Sequence, residues 1–143
     1  MQQFKSKKEV FNYIKQKFLA EGVEGIVIQG STTKGKIKDF SDIDIIVFNN
    51  KKLKPYYELC LVNNKMVLIT AYFYKPGKIE KTPKNEVVLY GNSYSQIEHK
   101  GNLDYTKEER IKRANQMFLD CLFKYLRSRD KSYLKTVDKY SRF

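Results

Sequence analysis

The stretch GIVIQGSTTKGKIKDFSDIDIIVF, residues 25–48, contains two short apolar segments separated by a polar loop with two glycines. Residues 25–29 are too few for a helix and predict a buried strand. Residues 42–48 are β-branched and apolar after their first positions, so they predict a second buried strand. The loop between the two strands, residues 30–41, therefore brings polar side chains to the point where one strand ends and the next begins.

Two aspartates open the second predicted strand. Alternate residues of a strand face the same side, so Asp42 and Asp44 project together while Ile43 points into the core. Their Cα atoms lie roughly 6.6 Å apart, from which both carboxylates can converge on one divalent cation. Such hard oxygen ligands suit Mg²⁺ or Mn²⁺. Because Asp-x-Asp is also common where a loop meets a strand, the meaning of the pair depends on the loop before it.

That loop has the residues expected of a phosphate-binding site. Gly30 allows a phosphate to approach the backbone, and Ser31 offers a hydroxyl and, as an N-cap, leaves backbone amides free for an anion. Lys34 and Lys36 add positive charge nearby. These four residues are the candidate phosphate-binding residues. The alternative interpretation is an ordinary helix cap followed by solvated lysines.

The loop also fits the P-loop spacing G-x-x-x-x-G-K, from Gly30 to Lys36. Ile37 follows, where that motif needs a hydroxyl for Mg²⁺. The second strand begins only six residues after Lys36, which leaves no room for the helix that must follow a P-loop. The spacing therefore disfavours a P-loop.

The chain has a strand that ends in Gly-Ser, then a short loop, then a strand that opens with Asp-Ile-Asp. This arrangement resembles the polymerase-beta-like nucleotidyltransferase superfamily. It is most similar to the minimal nucleotidyltransferases, and the matching positions are Gly30, Ser31, Asp42 and Asp44. The resemblance implies that the two aspartates hold the metal and that Gly-Ser binds the β- and γ-phosphates of an NTP. It also implies that an acceptor hydroxyl attacks the α-phosphorus and releases pyrophosphate.

The sequence departs from this family pattern at the third carboxylate, which active members usually supply from a later strand. Residues 66–74 (MVLITAYFY) are the natural place and contain no acid, and Thr70 is their only small polar residue. Glu58 is our tentative third catalytic residue, and Asp39 is a weaker candidate from the loop. If neither serves, the alternative is a catalytically degenerate nucleotidyltransferase-like protein that binds nucleotide or a partner protein.

The remaining chain predicts further strands and helices. Residues 6–9 and 106–109 are capping boxes that begin two amphipathic helices, and Asp130 precedes a third, short one. Residues 57–62 and 66–74 predict a β-hairpin, because the asparagines between them tolerate the positive φ of a tight turn.

The order of these elements predicts an α+β fold with a small mixed β-sheet, helices packed on one side and a helical C-terminal third. We expect a single domain over residues 1–143, with a nucleotidyltransferase core at 1–91 and a helical C-terminal extension at 106–143.

The amino-acid composition limits which partners and which cellular compartment we expect. A net charge of +12 favours an anionic partner, such as the NTP, nucleic acid or an acidic protein. Two separated cysteines and one histidine exclude a zinc site and favour a reduced, cytoplasmic protein. No apolar run approaches the roughly 18–20 residues of a membrane span. The resemblance adds a helical partner protein of the toxin–antitoxin type, and a basic nucleic-acid-binding module is a further alternative.

Overall fold

The computed structural model describes residues 1–49, 55–77, 85–93, 95–98 and 105–142. These residues form seven strands, three α-helices and one short 3-10 turn. In chain order they are β1 (Gln2–Phe4), α1 (Lys7–Phe18), β2 (Val23–Gln29), the 3-10 turn Ser31–Thr33, β3 (Ser41–Asn49), β4 (Tyr56–Val62), β5 (Lys65–Gly77), β6 (Glu86–Gly91), β7 (Ser95–Glu98), α2 (Lys107–Ser128) and α3 (Tyr133–Tyr140).

The strands form one mixed sheet in the order β1-β4-β5-β3-β2-β6, and β7 pairs with the end of β5. Strands β3 and β5 are parallel, as are β1 and β4, while the other pairs are antiparallel. The β4–β5 hairpin turns at Asn63 and Asn64, which have φ values of 49° and 62°. The predicted α+β class, mixed sheet, hairpin and helical C-terminal third are all confirmed.

The central strand β3 is buried on both faces of the sheet. On one face Ile43 belongs to the main hydrophobic core, together with Val10 and Ile14 of α1. On the other face Asp42 meets Asp120, which lies on α2. The two long helices therefore lie on opposite faces, whereas we expected helices on one side. The difference has a physical reason, since buried carboxylates need polar partners and α2 supplies them.

Side-chain caps fix where the helices begin. The Glu9 amide donates to Ser6 Oγ at 3.2 Å at the start of α1. The Glu109 amide donates to Thr106 Oγ1 at 3.1 Å at the start of α2. Both predicted capping boxes are thus at helix N-termini. The short helix α3 follows Asp130, as predicted.

Two further expectations concern the core and the membrane. Cys60 and Cys121 are free and buried, as expected of two reduced core cysteines. Within the part of the chain that the structure describes, no helix combines the length and apolar composition needed to cross a bilayer.

Candidate metal and nucleotide site

The first two elements of the site are the end of β2 and the start of β3. These strands are antiparallel neighbours, and Gln29 pairs with Asp44. The chain leaving β2 therefore passes beside the carboxylate, and a Cβ built on Gly30 would lie 3.7 Å from Asp44 Oδ2. Asp42 and Asp44 lie on one face of β3, as the two-residue period requires. The structure thus brings the glycine-serine turn and the paired aspartates together.

The loop after β2 is a tight turn rather than a helix. Gly30 has φ 93° and ψ −167°, a conformation that side chains other than glycine rarely adopt. The Thr33 hydroxyl donates to the Gly30 carbonyl at 2.7 Å, which holds the turn closed. Gly30, not Ser31, occupies the N-cap position, so our expectation of Ser31 as a cap is corrected. Ser31 is instead an exposed residue of the turn itself.

A cavity of about 750 Å³ lies between this loop and the end of α2. Ser31, Lys34 and Lys36 line it from the loop side, and Arg127 lines it from the helix. The volume is within the range of small-molecule sites, and the lining has an excess of cationic side chains. All three of these predicted loop residues therefore face a space that an anionic ligand of nucleotide size can enter.

The third carboxylate of the site is Asp120, on helix α2. One oxygen from each of Asp42, Asp44 and Asp120 can be chosen so that all three lie within 4.8 Å of one another. Asp42 is 8% exposed and Asp120 is 5% exposed. Our sequence reasoning missed Asp120 because it looked for an acid on a strand. The sequence pattern that could have indicated it is a polar residue every four positions along α2, at Gln116, Asp120 and Lys124. The structure buries the first two of these residues.

Burial and repulsion from neighbouring carboxylates raise the pKa values of Asp44 and Asp120. Burial, together with the neighbouring Asp42 carboxylate, raises the pKa of Asp44 to about 6, although the Thr70 hydroxyl opposes this by donating to Asp44 Oδ1 at 2.8 Å. Burial also raises the pKa of Asp120, and the hydrogen bond from Lys124 opposes that rise. A cation placed among the three carboxylates would relieve the repulsion between them.

Two cationic side chains of α2 now offset part of this negative charge. Lys124 Nζ lies 2.9 Å from Asp120 Oδ2, and the Arg127 guanidinium pairs with Asp42 Oδ1. With the Thr70 bond, these contacts use one oxygen of each carboxylate. Three carboxylates are a donor set that suits a hard divalent cation. The residues present therefore fit a Mg²⁺ or Mn²⁺ ion.

The structure places Glu58 away from this site, which corrects the expectation that it supplies the third carboxylate. Glu58 pairs with Ile69, and Ile69 pairs with Ile43, so all three side chains share the face of α1. There Glu58 accepts hydrogen bonds from the hydroxyls of Tyr13, at 2.8 Å, and Tyr56.

Asp39 is not part of the carboxylate cluster either. It lines the cavity, where it accepts the Met66 amide at 3.2 Å and lies 3.9 Å from Lys65 Nζ. Its contacts are those of a residue that fixes the loop to the β4–β5 hairpin.

The family model of the nucleotidyltransferase domain matches residues 7–113, about three quarters of the chain. The match includes Gly30, Ser31, Asp42 and Asp44, and it ends before Asp120. It confirms the resemblance to the polymerase-beta-like superfamily that these motifs indicated. No curated protein and no solved structure matches the chain. The chain belongs to the nucleotidyltransferase domain family.

Proposed function

We propose that this protein transfers a nucleoside monophosphate from an NTP to a hydroxyl acceptor and releases pyrophosphate, in a reaction that depends on a divalent cation. The observation that carries the proposal is the carboxylate cluster of Asp42, Asp44 and Asp120, within 4.8 Å, beside a cavity lined by Ser31 and the loop lysines. Metal ligands and a nucleotide-sized space are the two parts that nucleotidyl transfer needs side by side.

Each element of the site has a separate task in this proposal. Asp42, Asp44 and Asp120 would hold the cation, which when bound neutralises charge on the triphosphate and activates the attacking hydroxyl. Gly30 would leave its backbone accessible to phosphate oxygens because it has no side chain, and the place a Cβ would occupy lies 3.7 Å from Asp44 Oδ2. Ser31 offers a hydroxyl donor at the mouth of the same cavity.

Lys34 and Lys36 are exposed and line the cavity, so they would attract the triphosphate and contact its outer oxygens. Their contribution is to nucleotide affinity, because exposed ammonium groups act mainly as point charges on a bound phosphate. The net charge of +12 assists the approach of any anionic substrate.

Asp120 changes the balance between an enzyme and a degenerate binding protein. The degenerate interpretation depended on a missing third acid, and Asp120 supplies a carboxylate to the same cluster from α2. A carboxylate beyond the metal-holding pair is what two-metal transfer requires to activate the acceptor hydroxyl. The presence of Asp120 therefore favours an active transferase.

The experiment is to incubate the purified protein with each α-³²P-labelled NTP, Mg²⁺ or Mn²⁺, and three acceptor classes: RNA, DNA and a co-purified helical protein. We expect metal-dependent transfer of label and equimolar release of pyrophosphate. The Asp42→Asn/Asp44→Asn double variant should lose both, and the exposed-surface variant Arg110→Gln should keep both. Label transfer by the double variant equal to that of the parent would refute the site assignment.

A binding measurement keeps the proposal testable when the acceptor is not among those tried. NTP with Mn²⁺ should raise the melting temperature of the parent far more than NTP with EDTA, because ligand binding to the native state stabilises it. An equal response in both conditions would contradict metal-dependent nucleotide binding.

A further inference from the structure

Arg127 stands where the carboxylate cluster meets the cavity. It lies in the last turn of α2, and its side chain is 27% exposed. The guanidinium pairs with Asp42 Oδ1, while the same residue lines the cavity opposite Ser31 and Lys34. One side chain thus contacts a metal-ligand candidate and borders the space for the triphosphate.

Without a bound cation, the charges of the site favour the Arg127–Asp42 pair. With Lys124 on Asp120, the guanidinium offsets part of the repulsion among three carboxylates. A divalent cation on Asp42 would remove this need and would repel the guanidinium, since two positive charges would then share one carboxylate. The nearest alternative for Arg127 is an anion in the cavity that it already lines.

The chemistry of arginine favours phosphate as that anion. A guanidinium presents its donors in a planar fork that matches pairs of phosphate oxygens, and it stays charged at any accessible pH. Lys124 lacks this fork, because it is an ammonium, and it is not among the residues that line the cavity. Of the two cationic side chains, Arg127 is therefore the one that can leave its carboxylate for a nucleotide.

We propose that Arg127 exchanges partners when nucleotide binds: it neutralises Asp42 in the metal-free site and turns to the triphosphate once a divalent cation occupies Asp42. The proposal rests on the proposed function, and it makes Arg127 a nucleotide-positioning residue. It has a consequence that a purely structural role lacks. Removing the guanidinium must strengthen metal binding and weaken nucleotide binding at the same time.

The test compares Arg127→Gln and Arg127→Lys with Arg110→Gln as a matched control. Arg110 is an exposed residue of the same helix, roughly 25 Å away at 1.5 Å per residue, so its loss changes net charge equally. Free Mn²⁺ is titrated by electron paramagnetic resonance without nucleotide. The affinity for a non-hydrolysable α,β-methylene NTP is then measured by calorimetry at saturating Mn²⁺.

We expect Arg127→Gln to bind Mn²⁺ roughly three- to tenfold more tightly, since a competing cation is gone. Its affinity for the nucleotide analogue should fall roughly ten- to a hundredfold, the size of a charge-assisted hydrogen-bonded contact. Arg127→Lys keeps the charge and loses the fork, so its Mn²⁺ affinity should match the parent while nucleotide affinity still falls. Arg110→Gln should change neither by more than about twofold.

Each outcome decides between the possibilities. If Arg127→Gln binds both Mn²⁺ and the nucleotide analogue more weakly, the exchange is overturned and the proposed function is left intact. The same holds if its affinity for Mn²⁺ or its affinity for the analogue is unchanged. If Arg127→Gln does not fold, as its melting curve in EDTA would show, Arg127→Lys alone decides: unchanged nucleotide affinity would overturn the proposal. A parent that binds Mn²⁺ but no nucleotide analogue would instead refute the proposed function, and the exchange with it.

Discussion

Replacing Asp120 with asparagine tests whether helix α2 supplies the third metal ligand. The substitution keeps the side-chain shape and removes one of three carboxylate charges that lie within 4.8 Å. Two opposite unit charges about 4 Å apart attract each other by about 1 kcal/mol in water. Removing one carboxylate charge therefore costs a bound divalent cation about 2 kcal/mol of attraction, which is about thirtyfold in affinity. Because Asp120 is only 5% exposed, we regard this as a lower bound. The assay is Mn²⁺ titration by electron paramagnetic resonance.

The metal-free protein should respond in the opposite direction. Without the Asp120 charge, the repulsion among the carboxylates falls, and the only described ion pair lost is the one to Lys124, whose side chain is 37% exposed. The Asp120 side of this pair is buried, but the lysine end is exposed and can regain water when the pair is lost, so the loss costs about 1 kcal/mol. We therefore expect the melting temperature of Asp120→Asn in EDTA to equal or exceed that of the parent. Metal should raise it much less than it raises the parent.

Glu58→Gln is the matched control, because it removes one carboxylate charge from the opposite face of the sheet. It weakens the acceptor of two tyrosine hydrogen bonds, from Tyr13 and Tyr56, so thermal stability should fall. Its Mn²⁺ affinity should match the parent. If Asp120→Asn binds Mn²⁺ like the parent while Glu58→Gln loses affinity, the assignment of the third carboxylate to Asp120 is refuted.

Three further predictions concern the ligands and the loop. In EDTA the free energy of unfolding should decline as pH rises from about 4 to 7, more steeply in the parent than in Asp44→Asn. The reason is that burial and the Asp42 carboxylate raise the pKa of Asp44 to about 6. The stability that Asp44 contributes is therefore complete below its unfolded pKa of about 3.9 and is lost as the pH rises through 6. Parallel slopes in urea titrations would contradict this. Gly30→Ala should lower stability by about 1–3 kcal/mol, because φ 93° is strained for alanine, and a value near zero would mean that the turn relaxes. Lys34→Gln/Lys36→Gln should weaken nucleotide binding severalfold by calorimetry and leave Mn²⁺ affinity unchanged, since both lysines line the cavity outside the carboxylate cluster; equal losses in both would show that they act on the metal.

The sequence predicted the part of the site that depends on local rules. Asp42 and Asp44 share a face because side chains alternate along a strand, and this holds whichever sheet the strand joins. Gly30 follows a buried strand and has the positive φ that glycine allows. These residues lie within one short stretch of chain, so few long-range contacts were needed to infer that they come together.

The remaining part depends on register and on helix docking, which no local pattern contains. Tyr57 pairs with Thr70, and Thr70 pairs with Asp44, so it is Tyr57 that shares the face of the site and Glu58 that turns away. A shift of one residue in the hairpin would have reversed these positions. Asp120 comes from a helix whose docking on the sheet is a tertiary event, so its burial beside the two aspartates could not be inferred from the sequence.

Helix α2 supplies two residues of the proposed site, Asp120 and Arg127. The family match ends at residue 113, whereas Asp120 lies about two helical turns beyond the matched part and Arg127 about two turns beyond Asp120. What holds them in place is packing: Phe123 is 5% exposed, and its ring meets Phe40 edge-on, with centroids 5.7 Å apart, in the loop that leads into β3. Because this contact joins the helix to the loop before the aspartates, any movement of α2 changes the spacing of the carboxylates and the width of the cavity together. Metal affinity and nucleotide affinity should consequently be coupled through this helix.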